Sequence, residues 1–443
     1  MREVRQFNPA RVLVLGFLML IAMGTALLML PAATVGERLG FVDALFTATS
    51  AVCVTGLVVV DTGTAFTTLG QVIILTLIQV GGLGFMTMAA LIFITLGKRI
   101  GLGSRIMIQE SLNHLTLSGV VRLVKAVLLW TFLVQGIAAL ILGLRFASDM
   151  GWAKGLYYGL FHSISAFCNA GFDLMGNFTS LTAYQGDWVV ILTVMALFVS
   201  SGLGFFVIMD LYRCRGKLRS ISFHSKLVLS LTAVLLVLGF GTIFALEYSN
   251  PATLASLGTG EKILSTAFTA ATPRTAGFNV LPTDQLNQSS LFFIIILMFI
   301  GASPASTGGG IKTATFGVVM VAVYSMIRGK SDAVLFKRRL PQAIIHKALA
   351  IMFLSFTLIV VVALLLSITE DAQLLTIMFE TVSAFGTVGL SAGITGELTV
   401  VGRLLIIFTM FAGRVGPVTL TLAFTRRLSQ ERIRYPEDRV MVG

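Results

Sequence analysis

The stretch Ser383-Ala-Phe-Gly-Thr-Val-Gly-Leu-Ser391 (SAFGTVGLS) interrupts two long apolar segments with small and hydroxyl residues. Similar stretches occur at three earlier places in the chain. Aligned on a shared glycine, the four read FTATSAVCVTGL (46–57), FHSISAFCNAGF (161–172), AFTAATPRTAGF (267–278) and FETVSAFGTVGL (379–390). The aligned glycines, Gly56, Gly171, Gly277 and Gly389, are separated by 115, 106 and 112 residues, so the chain is built from four repeats.

The composition indicates an all-α protein that crosses a membrane many times. The 443 residues are 56% hydrophobic and 12% charged, with a mean hydropathy of +0.93. A helix needs about 20 apolar residues to cross the hydrocarbon core of a bilayer. The first apolar run is too long for a typical signal peptide, so we interpret it as a retained helix. Eight transmembrane helices are predicted, at about 12–30, 70–96, 126–146, 188–211, 227–246, 291–327, 348–367 and 401–425.

The net charge of +12 is placed unevenly along the chain. With both termini in the cytoplasm, 24 of the 32 Lys and Arg residues fall inside, six fall outside, and Lys312 and Arg414 fall within the membrane. This asymmetry follows the positive-inside rule for a protein of the cell membrane. The basic residues therefore indicate topology, with the lipid bilayer as a partner, and they do not predict nucleic-acid binding. The six outer residues are Arg38, Arg145, Lys154, Lys262, Arg274 and Arg403.

Residues for catalysis or for a resident metal are not evident in the sequence. The three cysteines and the four histidines lack the spacing of a zinc site or of a nucleophilic triad, so no catalytic residue and no enzyme are predicted. No dinucleotide fingerprint follows a strand, and GGGIKT (308–313) lacks the spacing of a phosphate-binding loop. Any control by nucleotides must therefore come from a separate protein.

The four repeated stretches each follow an odd-numbered span and precede an even-numbered one. Each unit is then a helix, a short helix, an extended loop and a second helix, and all four units run parallel. Parallel units can surround one central pore, whereas an inverted-repeat transporter needs units with an odd number of spans. The short helices are predicted at about 41–52, 154–167, 261–271 and 372–384, and the pore units at 1–125, 126–226, 227–347 and 348–443.

The loops themselves predict an ion filter. Irregular backbone at membrane depth persists only inside protein or beside a wet cavity, and carbonyl groups can replace the water around a cation. Glycine reaches the required backbone angles most easily, and the negative ends of the short helices favour cations. Glycines that merely pack helices would explain one stretch but not four. The predicted filter residues are Val54, Thr55, Gly56, Asn169, Ala170, Gly171, Thr275, Ala276, Gly277, Thr387, Val388 and Gly389.

The sixth span, residues 291–327, is too long for one helix, since its 37 residues would extend about 55 Å. Its middle, GASPASTGGGIKT (301–313), is polar and rich in glycine, which predicts two half-helices joined by an intramembrane loop. Such a loop beneath the filter would obstruct the pore and act as a gate; the alternative is an inert kink. The buried cations would belong to the same gate; the alternative, stronger for Lys312 than for Arg414, is a side chain that extends to the membrane interface. The predicted gate residues are Ser303, Pro304, Ala305, Ser306, Thr307, Gly308, Gly309, Gly310, Lys312 and Arg414.

Residues 386–390, GTVGL, are similar to the TVGYG filter of potassium channels. Over nearly its whole length the chain resembles the Trk/Ktr/HKT superfamily of potassium transporters, and most of all a KtrB-type membrane subunit. The resemblance implies potassium as the transported ion, sodium as an activator, a gating loop in the third unit and an arginine beneath the filter. It also implies a homodimer on a cytosolic ring of KtrA-type, nucleotide-binding regulatory subunits.

The chain departs from potassium channels at the second filter glycine. That position holds Val58, Asp173, Asn279 and Ser391, so we expect fewer carbonyl rings and weaker discrimination against sodium. A secondary transporter coupling sodium and potassium movement stays as an alternative, as does a scaffold or receptor that moves no ions.

Overall fold

The computed structural model describes residues 9–84, 87, 120–214 and 220–424. These residues form sixteen α-helices and one short antiparallel hairpin. Four times along the chain, a long helix is followed by a short helix, a loop and a further helix. The sequence also predicts a basic, cytoplasmic docking face formed by the segments 98–125, 213–226 and 328–347 and the C-terminus from Arg426. The segments 98–125 and 213–226 are described only in part. The basic C-terminus from Arg426 lies outside the described residues.

The first repeat begins with a helix whose first turn has no acidic residue and whose last turn has no basic one. Asp61 and Thr67 then cap the next two helices after the loop, because their side chains accept hydrogen bonds from the amides of Thr64 and Gly70. The remainder of the predicted span 70–96 lies largely outside the described residues. The four helices are α1 (Pro9–Leu28), α2 (Phe41–Cys53), α3 (Thr62–Ala65) and α4 (Thr68–Leu83).

The second repeat contains a closely packed helix pair. Gly155 and Gly159 lie on the short helix where a Cβ atom would come under 3.0 Å from the backbone of the preceding helix, so only glycine permits this approach. The predicted span 188–211 is present as two helices bent by 92°. Gly204, with φ +90°, makes the bend. The helices are α5 (Val120–Met150), α6 (Trp152–Phe167), α7 (Trp188–Gly202) and α8 (Phe205–Arg213).

The third repeat confirms that residues 291–327 do not form one helix. A non-helical segment, 300–312, joins its last two helices, and Ile300 and Ile311 pair at its two ends. The helices are α9 (Phe223–Glu247), α10 (Thr259–Ala271), α11 (Gln288–Phe299) and α12 (Thr313–Ile327). A hairpin of β1 (Val334–Leu335) and β2 (Arg338–Arg339) follows.

The fourth repeat packs back against the first. The Arg403 Nη1 atom donates to Asp43 Oδ1 at 2.5 Å, which ties the last repeat to the first short helix. The final span breaks at Gly416, where φ is +88°, and Pro417 begins the next helix in the position where proline is tolerated. The helices are α13 (Gln342–Thr369), α14 (Leu374–Gly386), α15 (Val400–Val415) and α16 (Pro417–Phe424).

A mostly helical membrane protein was predicted, and the helices confirm it. Four described helices are long and apolar enough to cross a membrane by themselves, and they coincide with the odd-numbered predicted spans. The four short helices also begin and end within two residues of the predicted limits. The core lies at these short helices, which supply the fully buried rings of Phe46, Phe167, Phe268 and Phe385. The self-spanning helices are Ala10–Leu28, Val124–Met150, Phe223–Glu247 and Gln342–Thr369.

Candidate functional site

The loops after the four short helices meet in one ring. Gly56, Gly171, Gly277 and Gly389 have φ values of +92°, +69°, +77° and +94°. A Cβ atom on each would come within 3.1 Å of a carbonyl oxygen of the next repeat, and one on Gly389 would meet the first repeat. The glycines therefore form a closed ring in chain order, and a side chain at any of them would collide with its neighbour. The opposing oxygens belong to Ala170, Ala276, Val388 and Thr55.

The backbone below each glycine alternates in the sign of φ. The residues two positions earlier have φ between +48° and +72°, whereas the residues directly before the glycines are absent from the positive-φ set of the described residues. A uniformly extended strand points successive carbonyls to opposite sides, so an alternating one brings them to the same side. The left-handed residues are Val54, Asn169, Thr275 and Thr387. Such conformations are costly without glycine and persist where the surroundings impose them.

The short helices impose this geometry through their C-terminal turns. The amides of Thr55, Ala170 and Val388 each donate to a carbonyl five residues earlier at 2.8 Å, closing the helix end around a left-handed residue. Side-chain hydroxyls hold the strand that follows. Ser50 and Ser383 accept from the amides of their own ring glycines at 3.1 and 3.2 Å.

Hydroxyls of the other two repeats donate to the strand instead, although Thr272 lies one position nearer its ring glycine than the serines lie to theirs. Ser165 Oγ donates to the carbonyl of Phe172, and Thr272 Oγ1 donates to that of Phe278, both at 2.6 Å. The sequence indicated small hydroxyl residues before each loop, and the structure shows that they support the back of the ring.

A cavity of about 490 Å³ opens beyond the glycines, on the side of the residues that follow them. We call it the upper cavity. Its lining includes Asp173, Asp284 and Glu397, and no basic residue among those that the structure describes. The residues at the missing second-glycine position, Val58, Asp173, Asn279 and Ser391, all line it.

The segment 300–312, which the sequence predicts to lie within the membrane, contacts the opposite side of the ring. The amide of Gly309 donates to Thr387 Oγ1 at 2.9 Å. A Cβ atom on Gly308 would collide with the side chain of Thr275, and one on Gly309 with that of Thr387. From the sequence, the glycines were expected to prevent a continuous helix. The structure gives a further reason, since only glycine can approach the ring this closely.

Other repeats hold the loop in place through their backbones. The amide of Ser303 donates to Gly202 O at 3.0 Å, and the amide of Phe205 donates to Ala305 O at 2.8 Å. Thr307 Oγ1 donates to Phe167 O at 3.3 Å. Within the loop, Ser306 Oγ donates to Ser303 O at 2.6 Å. The chain turns at Pro304, whose carbonyl lies against Gly204, and the loop is thus seated mainly on the second repeat.

Arg414 and Lys312, the two basic residues predicted in the membrane, both contact the loop. Arg414 Nη1 donates to Thr307 O, and its Nη2 donates to the carbonyls of Gly81 and Gly82 in the first repeat. Lys312 Nζ donates to Gly308 O at 2.5 Å. The amide of Gly310 adds a bond to Gly413 O at 3.2 Å. Arg414 therefore fastens the loop to a neighbouring repeat.

A second cavity, of about 300 Å³, lies on the loop side of the ring. We call it the lower cavity. Lys312, Lys347 and Arg414 line it, together with Ser306 and Gly308 of the loop. No acidic residue occurs in the described part of its lining.

One basic residue is placed differently from its prediction. Arg274 was expected on the outer side, but its Nη2 atom donates to Thr313 Oγ1 at 3.1 Å, at the base of the intramembrane loop. The prediction assigned every basic residue between two outer span ends to the exposed surface. The segment that carries Arg274 instead re-enters the protein. The sequence feature that could have predicted the interior position of Arg274 is its place within one of the four repeated stretches.

Sequence reasoning also missed Ser201. Its Oγ donates to Asn169 Oδ1 at 2.8 Å, and Asn169 Nδ2 donates to Thr275 Oγ1 at the same distance. This chain of bonds links the bend after α7 to two of the ring strands. The described residues contain no group of three or more His, Cys, Asp and Glu that could hold a metal ion.

Comparison with known proteins gives one consistent result. The family model described as "TrkH: Cation transport protein" matches residues 5–435. The chain is 47% identical over 438 residues to Ktr system potassium uptake protein B of Bacillus subtilis, covering 99% of this chain and 97% of that protein. It is 40% identical over 449 residues to the potassium/sodium uptake protein NtpJ of Enterococcus hirae, covering 100% and 99%.

A solved structure has the same fold. The potassium transporter TrkH from Vibrio parahaemolyticus superimposes with a TM-score of 0.72 at 19% sequence identity. The superposition covers 96% of this chain and 86% of that one.

Proposed function

The chain belongs to the TrkH family of cation transport proteins, and from that premise we propose that it is the potassium-translocating membrane subunit of a Ktr-type uptake system. Its relatives are transporters and not enzymes. The observation that carries the proposal is the closed ring of Gly56, Gly171, Gly277 and Gly389, each with positive φ. A backbone bent in this way can present carbonyl oxygens to a cation without its water.

The proposed path for the ion runs through the ring from the upper cavity to the lower cavity. The eight predicted spans then form four parallel pore units around this path, with both termini in the cytoplasm and the upper cavity facing outside. The long helices supply four spans, and the segments after each loop supply the other four. The bend at Gly204 and the break at Gly416 support this arrangement, because they interrupt the fourth and the eighth predicted spans at the level of the loop.

The filter in this proposal comprises the ring glycines and the two residues before each of them. Their carbonyls would face potassium, while the side chains lie behind the ring. Only one glycine per repeat has the required conformation directly at the ring, because the next equivalent positions hold Val58, Asp173, Asn279 and Ser391. We therefore expect modest selectivity for potassium over sodium. The name of the Enterococcus relative, a potassium/sodium uptake protein, is compatible with this expectation.

The gate in this proposal is the loop from Ser303 to Lys312 with Arg414. Gly308 and Gly309 press against the threonines at the lower end of the ring, which leaves no room there for a hydrated ion. Opening requires the loop to leave these threonines and Arg414 to release Thr307 O. The loop's hydrogen bonds with its neighbours are each of modest net strength, so the closed arrangement is reversible.

The partners follow from the type of system. As the membrane subunit of a Ktr system, the protein is expected to act as a homodimer on a cytosolic ring of KtrA-type regulatory subunits. Because no nucleotide-binding motif follows a strand in this sequence, the nucleotide would bind the partner. Sodium would act as an activator and not as a bound cofactor.

Ion flux into liposomes tests the proposal. Purified protein should carry ⁸⁶Rb⁺ down a potassium gradient, with potassium competing better than sodium. Gly389→Ser should lower uptake by about tenfold or more, because the new Cβ would collide with Thr55 O at a backbone angle unsuited to serine.

Gly241→Ser is the matched control, since a Cβ at Gly241 in α9 meets no atom within 4 Å. Wild-type liposomes that take up no rubidium would refute transport. Equal uptake by wild type and Gly389→Ser would refute the filter assignment. Uptake that requires sodium in a fixed ratio would favour a coupled secondary transporter.

A further inference from the structure

Arg274 occupies a position that no other repeat fills with a charge. It lies three residues before Gly277, where the other repeats have Cys53, Cys168 and Gly386. The arginine thus occurs in the same repeat as the intramembrane loop. This coincidence gives it a candidate role that the ring geometry alone does not require.

The contacts of Arg274 lead directly to the two ends of the loop. Its Nη2 atom donates to Thr313 Oγ1 at 3.1 Å, and Thr313 Oγ1 donates to Gly301 O at 3.0 Å. The amide of Thr313 donates to Ala302 O at 3.1 Å. We call Gly301, Ala302 and Thr313 the loop neck. A continuous chain of hydrogen bonds therefore joins the third ring strand to both sides of the loop neck.

The electrostatic setting of Arg274 is unfavourable. None of the salt bridges among the described residues includes it, and its Nε atom is buried without a hydrogen-bond partner. A guanidinium group inside protein without a carboxylate is costly, and such groups usually serve a function. A small residue such as the Cys53 or Gly386 of other repeats would remove the cost.

The residue next to Arg274 belongs to the ring. Thr275 has φ +72°, its Oγ1 accepts from Asn169 Nδ2 at 2.8 Å, and Gly308 of the loop lies against its side chain. Any displacement of the loop neck that pulls Arg274 is transmitted to Thr275 through one peptide bond. Because Asn169 belongs to the second repeat, the displacement would reach two of the four ring strands.

Resting on the proposed function, we propose that Arg274 is a positioning residue that couples the loop neck to the ring. In the closed state the bond to Thr313 holds both the loop and the third strand. When the loop opens and the bond is lost, the third strand relaxes, so the selectivity of the ring changes with the state of the gate.

A double-mutant cycle in liposomes tests the coupling. The variants are Arg274→Met, which keeps length without donors, Thr313→Val, which removes the acceptor hydroxyl, and their combination. The measurements are ⁸⁶Rb⁺ uptake and the ratio of rubidium to sodium flux. Each single variant should raise uptake and lower the ratio by about two- to tenfold, the change expected from one hydrogen bond. The combination should equal either single variant.

Thr313→Ser, which retains the hydroxyl, should restore the wild-type ratio. Thr76→Val is the matched control, since Thr76 is exposed on α4 and its hydroxyl only bonds Val72 O of the same helix. Unchanged flux ratios in both single variants, or additive effects in the double variant, would overturn the coupling. If Arg274→Met does not reach the membrane intact, Thr313→Val with its serine counterpart decides the matter. Absence of rubidium flux in wild type would instead refute the proposed function.

Discussion

The upper and lower cavities face the same ring but carry opposite charge. Asp173, Asp284 and Glu397 line the upper cavity, whereas Lys312, Lys347 and Arg414 line the lower one. The upper cavity, at about 490 Å³, is also larger than the lower one, at about 300 Å³, into which the loop projects. A cation is therefore attracted on one side of the ring and repelled on the other.

The difference indicates where the barrier to the ion lies. One unit charge about 8 Å from a cation changes its energy by about 2 kcal/mol at an effective dielectric constant of 20. Carboxylates above the ring would concentrate cations there, and the basic residues below would raise the energy of a cation that has passed the ring. In the proposed path, the loop would add a steric barrier on the same lower side. Changes in the lower cavity should therefore affect flux more than changes in the upper one.

The largest effect is expected from removing the steric part of the lower barrier. Deleting residues 305–309 takes away the segment that bonds Thr387 and Phe205, so K⁺ flux should rise by about ten- to hundredfold. Dependence on a regulatory partner should fall at the same time. Rubidium uptake at equal protein content and equal dimer fraction measures the effect.

Ala305→Gly is the control for this deletion. It keeps the length of the loop and suits the positive φ of 56° at that position, so the closed arrangement should be retained. A deletion variant with uptake at or below the wild-type level would show that the loop is not the barrier. The glycine-rich sequences GGLGF (81–85) and SGLGF (201–205) would then be the next candidates.

A smaller effect is expected from removing charge in the lower cavity. Arg414→Ala eliminates both the positive barrier and the bonds to Thr307 and Gly81, so flux should rise by about three- to tenfold. Arg414→Lys keeps the charge but cannot reach the three carbonyls together.

Comparing the two Arg414 variants separates the causes. Uptake by the lysine variant that equals the alanine variant would assign the barrier to hydrogen bonding. Uptake near the wild-type level would assign it to charge. A decrease in the alanine variant would contradict both and remove Arg414 from the gate.

The smallest effect is expected in the upper cavity. Asp173→Asn removes one of three carboxylates without changing shape, so half-saturating potassium should rise about two- to threefold at low salt and less at 0.15 M salt. Maximal flux should stay the same, because the barrier lies elsewhere. Asp332→Asn, in the chain segment before the hairpin, is the control for a lost carboxylate. An equal effect of Asp173→Asn at all salt concentrations would contradict an electrostatic role.

The ring was accessible from the sequence because it is repeated. Four copies of one stretch at matched positions specify both the short helices and the glycines that follow them, and the glycine conformations agree with that reasoning. The break at residues 300–312 was equally accessible, since Pro304 and three successive glycines oppose a helix.

Features that depend on contacts between distant segments could not be predicted from the sequence. The seating of Gly309 on Thr387 joins residues 78 positions apart, and the bond from Arg274 to Thr313 joins residues 39 apart. The hairpin after α12 was also missed. Its turn places Phe336 and Lys337 at positive φ, a conformation that glycine and asparagine usually signal and that these residues do not.

One polypeptide supplies all four strands of the ring, and each touches the next in a fixed order. In an assembly of four identical chains, any substitution at such a site appears four times. A single gene cannot specify an assembly in which only one of the four subunits carries it. Here a change at Asp173 or Arg274 appears once. A single substitution can therefore change the charge or rigidity of one ring strand. The other three strands keep their sequence and their structure.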